Sequence, residues 1–233
     1  MESESKRVRI SDDVVDIVNY IEVNEAINLC FHNGSCVVFS CHPTFSHQVF
    51  EKERLPLYGN GCNTSTVVIN VYINIYTLAQ RASVISTVED FPTIKECLGK
   101  NFPDSGEIVH ESAEGHVTKS SPMILDSDAA PLQFGRRIST FTASIRGDEE
   151  KYEIFMSSYH DQGCAALLKY AETLAVWHIE TADAVDFNDD KWEVLWLYNC
   201  RRNDNGVEWP AVAGYMTLFS FSNPVHGTKI RIC

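Results

Sequence analysis

Two periodicities alternate along the chain. Apolar residues at every second position mark strands with one buried face, and apolar residues at every third or fourth position mark helices. Thr66 to Leu78 shows the first most clearly. Val67, Ile69, Val71, Ile73 and Ile75 make one wholly apolar side, and Val68, Asn70, Tyr72, Asn74 and Tyr76 make a mixed one. Ala26 to Phe39 alternates around Asn33-Gly34, a pair suited to a tight turn, and predicts a β-hairpin. Ser11, followed by Asp12, Asp13 and an apolar-spaced run to Tyr20, predicts a short capped helix. Pro43 to Phe50 predicts a connector leading into another short helix.

From Pro103 to Pro131 the chain turns rich in Ser, Gly, Asp, Glu and His, which predicts a surface loop or domain junction. Beyond it, Ile138–Ile145 and Lys151–Met156 alternate around Arg146-Gly147-Asp148, a second hairpin. Gln162 to His178 reads as a helix, with Leu167, Tyr170, Ala171, Leu174 and Trp177 on one face. Trp192–Tyr198 is a strand, Asn203-Asp204-Asn205-Gly206 a turn, and Val212–Phe221 the return strand. Asn223-Pro224 with Gly227 makes another turn, and Lys229–Cys233 begins a further strand. Hairpin, helix and antiparallel meander in that order give an α+β class.

Composition narrows the function. With 233 residues, 44% of them hydrophobic, the chain can bury a core for one or two domains. A net charge of -13 repels phosphate backbones and attracts basic partners, or else serves solubility alone. The apolar stretch nearest to a membrane span, Val67 to Ala79, is broken by Asn70 and Asn74. The polar start from Met1 to Ile10 is unlike a signal peptide, so an intracellular protein is expected. Eight cysteines without a CxxC spacing fit scattered thiols better than zinc or redox chemistry.

The acidic stretch Asp183, Asp186, Asp189, Asp190, Glu193 is a calcium candidate. Counted from Asp186, however, Lys191 stands where the loop needs glycine and Leu197 where it needs glutamate, so it reads as a polar turn and no metal is expected. No GxSxG, P-loop or GxGxxG occurs, and the histidines form no HxxxH pair. His178 reads as a satisfied, partly buried histidine. Glu180 follows the apolar helix end Leu174–Ile179. Apolar surroundings disfavour a charged carboxylate, which is the tuning of a general base, whereas a surface glutamate at a helix end has no such role.

Several segments together are similar to a known family. Leu174-Ala-Val-Trp-His-Ile-Glu-Thr-Ala182, Asp189-Asp-Lys-Trp192 and Ala213-Gly-Tyr-Met-Thr217 resemble the catalytic subunit of type B histone acetyltransferases, members of the GNAT superfamily. Ala26-Ile-Asn-Leu29, Phe45-Ser-His-Gln-Val-Phe50 and Tyr58-Gly59 resemble that family's N-terminal domain. The resemblance implies an N-terminal mixed α/β domain over 1–125 and the first half of a GNAT domain over 126–233. It implies acetyl transfer from acetyl-CoA to tail lysines of newly made core histone four. A lysine of pKa about 10.4 needs a base before it can attack a thioester, and Glu180 matches one of the family's three clustered carboxylates. Trp192 matches an aromatic that contacts the histone peptide. Phe219, Ser220 and Phe221 match a peptide-contacting stretch, with Phe219 lacking a tyrosine hydroxyl. Within Lys52-Glu53-Arg54, Glu53 alone keeps the charge of an acidic peptide-contacting patch. Lys229–Cys233 is similar to the start of the strand leading to the family's glycine-rich CoA turn, so that turn and the other two carboxylates are expected to lie beyond this sequence. The family also implies a WD-repeat β-propeller histone chaperone as partner, and a nuclear and cytoplasmic location.

A plainer reading stands beside each assignment. An aromatic at strand spacing is usually a sheet-face core residue, which applies to Trp192 and Phe219. Trp177, Tyr215 and Met216 are read as core. At the level of the whole chain the readings are an acetyltransferase given as a partial sequence, a short form that binds partners without catalysis, and an acidic α+β binding protein.

Overall fold

The computed structural model describes residues 19–34, 36–50, 54–57, 67–86, 90–102, 107–112, 133–158, 160–186, 189–202, 208–223, 225 and 227–232. Strands β1 (Asn19–Glu22) and β4 (Arg54–Leu57) form an antiparallel ribbon. A short α1 (Val23–Ala26) leads into β2 (Ile27–His32), which turns back as β3 (Val37–Cys41). Strands β5 (Val68–Asn74) and β6 (Gln80–Ser86), helix α2 (Phe91–Asn101) and β7 (Glu107–Ser112) complete the first half. These strands make a five-stranded sheet in the order β3-β2-β5-β6-β7, with β2 parallel to β5 and β6 parallel to β7.

The second half is a meander in chain order. Strands β8 (Arg136–Ile145) and β9 (Asp148–Ser158) are followed by α3 (Cys164–His178), β10 (Trp192–Arg202), β11 (Glu208–Asn223) and β12 (Gly227–Ile232). All five strands pair antiparallel. The α+β class follows from one mixed sheet, one antiparallel sheet and a few helices.

Strand β5 shows how the pattern works. Val67, Ile69, Val71 and Ile73 are buried and their β-branched side chains suit the pleat, while Val68, Asn70 and Tyr72 lie half-buried on the other face. Asn74 ends the strand by accepting the N–H groups of Tyr76 (2.8 Å) and Thr77 (3.1 Å) on Oδ1.

Helix α3 is apolar around most of its circumference, as a helix packed on two sides must be. One side meets the second sheet. There the Trp196 indole donates to Ser157 Oγ (2.9 Å), which lies 3.1 Å from Cys164 Sγ. The other side meets the first half, where Gln80 Nε2 donates to Tyr170 O (3.0 Å) and Thr173 Oγ1 to Asn101 O (3.4 Å). A single apolar cluster therefore takes in Ile69, Val71, Leu98, Leu168, Trp177 and Trp196. The turn between β5 and β6 also touches β11: Val212 N–H donates to Ile75 O at 3.0 Å, and Tyr76 and Trp209 meet edge to face at 5.1 Å.

Several expectations change. The helix expected over Ser11–Tyr20 lies outside the described residues up to position 18, and Asn19 and Tyr20 are in β1. Pro43–Phe50 holds a single turn closed by Phe50 N–H to Ser46 O (2.8 Å), without a helix. The expected loop over Pro103–Pro131 contains β7, held by its parallel register with β6. The junction at 125/126 and the turn at Asn203–Gly206 lie outside the described residues.

Candidate functional site

Alternate residues of β10 point at α3. Val194, Trp196 and Tyr198 on that face are fully buried. Trp192, the next member of the row, is only partly buried, so the row runs out of the core to the surface there. Phe219 of β11 lies directly opposite Trp192, with ring centroids 4.9 Å apart and planes at 56°. Phe221 lies on the same face two residues on, and is 37% exposed. Ser220 alternates to the other face, and its N–H donates to Lys191 O (3.0 Å) to extend the ladder. Lys191 itself is exposed, with Nζ 5.8 Å from the Phe219 ring centroid. Trp192, Phe219 and Phe221 thus share one surface, and Ser220 contributes backbone to it.

The described part of the acidic stretch before β10 ends in a turn at Asp190 and Lys191. Asp189 N–H donates to Asp186 O (3.1 Å), and Asp189 Oδ1 accepts the Lys191 N–H (3.0 Å). Among the described residues, no three His, Cys, Asp or Glu side chains are grouped to hold a metal ion.

Glu180 stands two residues past α3. The helix ends with Ile179 N–H donating to Ala175 O (2.8 Å), and Thr181 takes a left-handed φ of 59°. Trp177 O accepts two further donors, Thr44 N–H (2.8 Å) and Phe45 N–H (3.0 Å), so the Phe45–Phe50 segment provides part of this helix end. Gln48 Nε2 then donates to Ala182 O at 3.0 Å. The two sequence segments singled out around Phe45 and Glu180 are therefore neighbours. The Glu180 carboxylate is exposed, and Ile179 beside it is 57% exposed, so the apolar neighbours in sequence do not enclose it. His178 is exposed on one side but satisfied, with Nδ1 3.4 Å from Thr44 Oγ1, and the burial it has holds its pKa below the usual value. Glu53 lies outside the described residues.

Trp177 is core as expected and Tyr215 is partly buried against the core cluster, but Met216 is 39% exposed. It pairs with Leu195 on the face turned away from α3, where strand alternation places it.

One carboxylate went unnoticed in the sequence. Glu172 of α3 lines a groove of about 300 Å³ with Lys169, Asp183, Lys100 and Asn101. Burial pushes its carboxyl up, opposed by the 2.7 Å hydrogen bond it accepts from Val185 N–H. Burial and then the Glu172 charge push the Tyr215 phenol up to about 12. The signal for Glu172 was its place on a helix that is apolar around most of its circumference.

Comparison with known proteins gives a consistent answer. A family model described as Histone acetyl transferase HAT1 N-terminus matches residues 19–180. A histone acetyltransferase type B catalytic subunit of Dictyostelium discoideum is 25% identical over 203 residues, covering 83% of this chain and 40% of its own length. The subunits of that name from Mus musculus and Homo sapiens are 24% and 23% identical, covering 82% of this chain and 45% and 44% of their own lengths. The chain thus spans less than half the length of these relatives. A family model that matches the greater part of the sequence, with these relatives aligned along most of it, shows that the chain belongs to the type B histone acetyltransferase catalytic-subunit family.

Proposed function

We propose that this chain supplies the substrate side of a type B histone acetyltransferase of the GNAT superfamily. The reaction moves acetyl from acetyl-CoA to tail lysines of newly made core histone four. The observation that carries this reading is the Trp192–Phe219 pair, an aromatic platform at the surface end of the core row. A basic extended tail can lie on such a platform, with the acidic turn before β10 beside it. In the complete enzyme Glu180 takes a proton from the substrate ammonium. The neutral amine then attacks the thioester carbonyl, a C–N bond forms, the C–S bond breaks, and the surplus proton on the nitrogen goes to the departing CoA sulfur, which leaves as the thiol. The open position of Glu180 suits a base that must meet a lysine arriving from solvent. Residues 1–125 form the family's N-terminal domain and 126–233 the first half of its catalytic domain. Nucleus and cytoplasm are the places such a protein works.

We expect the 233-residue chain to bind a core histone four tail peptide and not acetyl-CoA. Calorimetric titration with each ligand tests this, and saturable micromolar binding of acetyl-CoA would sink the division. A second reading is a non-catalytic short form that engages histone and a WD-repeat β-propeller chaperone. It draws on the match to the family's N-terminal part. Capture of a purified chaperone of that type by the isolated chain, without acetyl transfer, would favour it.

A further inference from the structure

We propose that Lys191 holds down the affinity of this surface for basic peptides: its ammonium is the resident cation on the Phe219 ring of the Trp192–Phe219 platform, and a cationic side chain of a bound basic peptide must displace it. The inference rests on the peptide-binding reading above and deepens it. Lys191 Nζ sits 5.8 Å from the Phe219 centroid, within reach of the ring's negative face. The Trp192 ring lies 4.9 Å from Phe219 at 56°, so the ammonium covers one of the two rings of the platform. The backbone of Lys191 is held at both ends. Its N–H donates to Asp189 Oδ1 (3.0 Å) and its carbonyl accepts Ser220 N–H (3.0 Å). The strand register therefore fixes where the side chain starts, and its flexible stem alone decides whether the ammonium stays on the ring.

Charge sharpens the point. Asp183, Asp186, Asp189, Asp190 and Glu193 surround Lys191 in sequence, and Lys191 is the only basic residue from 183 to 193. The segment attracts a basic peptide, whereas Lys191 opposes it twice, by occupying the ring face and by repelling a second cation.

The test is calorimetric titration of a basic N-terminal tail peptide of core histone four into three full-length chains: wild type, Lys191→Gln and Lys95→Gln. Lys95 is the matched control, because its Nζ also lies 5.8 Å from a phenylalanine ring centroid, that of Phe91 on α2. Lys191→Gln is expected to bind about three- to tenfold more tightly at low ionic strength, a gain that shrinks with added salt. Lys95→Gln is expected to match wild type. Equal affinity of wild type and Lys191→Gln, or equal tightening in both variants, overturns the role of Lys191 and leaves the peptide surface standing. Absence of binding by all three chains overturns the peptide surface itself, and this inference with it.

Discussion

The indole of Trp196 donates to Ser157 Oγ at 2.9 Å, across two neighbouring strands and directly beneath helix α3. Both residues are buried, and Ser157 Oγ also lies 3.1 Å from Cys164 Sγ on the helix. Removing the hydroxyl leaves a buried N–H without a partner, at a cost of about 1–3 kcal/mol. Ser157→Ala is therefore expected to lower the urea midpoint, followed by tryptophan fluorescence, with little change in slope. A midpoint within error of wild type would show that the indole finds another acceptor.

His32 gives the fold a pH dependence. Its side chain is buried, Nδ1 accepts the Gly34 N–H at 3.2 Å, and burial holds its pKa below the usual value of 6.5. The unfolded chain then binds the proton more readily. This contribution to stability is complete above about pH 6.5 and is lost as pH falls toward the folded pKa. His32→Asn can keep an acceptor for Gly34 without the titration. The difference in melting temperature between wild type and variant is expected to move against wild type from pH 7.5 to pH 5.5. A pH-independent difference would remove His32 from the account.

Gly163 precedes α3 with φ at 87°, and a Cβ there would come within 2.5 Å of the Phe134 ring. Gly147, in the β8–β9 turn, has φ at 95° but open space around it. Alanine at Gly147 is expected to cost about 1 kcal/mol for the backbone alone, and alanine at Gly163 about 1–3 kcal/mol more for the displaced ring. Equal losses in chemical denaturation would mean that Phe134 moves freely.

Glu180→Gln tests the proposed base and needs the complete enzyme. A kcat lower by about 10²–10⁴ at neutral pH is expected, in the range for loss of a positioned base, with the KM for peptide little changed. An unchanged rate would take Glu180 out of the proton-removing role.

The periodic segments were legible in advance. Strand β5, helix α3 and the β10–β11–β12 meander follow from residues repeating at every second or every third and fourth position. Strand β6 was not legible because Gln80, Ser83 and Ser86 are buried among its apolar residues. Gln80 is tolerated because Tyr170, 90 positions away, supplies an acceptor, and no local pattern carries that information. Helix α2 opens with Phe91-Pro92, and β7 hides Ile108 and Val109 among glutamates, a histidine and a serine. At the candidate site, resemblance picked out Trp192 and Phe219 singly. Their facing position depends on the β10–β11 register, including the irregularity at Leu197/Tyr198. The exposure of Glu180 depends on where α3 stops, and Thr44 and Phe45 bind a carbonyl of its final turn from more than a hundred residues earlier.

Helix α3 also governs how the molecule comes apart. Its two sides complete two different sheets, so neither sheet can melt and leave the other with an intact interior. Chain order separates the first half from the second, but the energetics join them into one cooperative unit. Slow amide exchange is then expected to be shared by β5 and β10 with a common opening free energy. A protease cut between β7 and β8 would give two pieces held together by the helix they share.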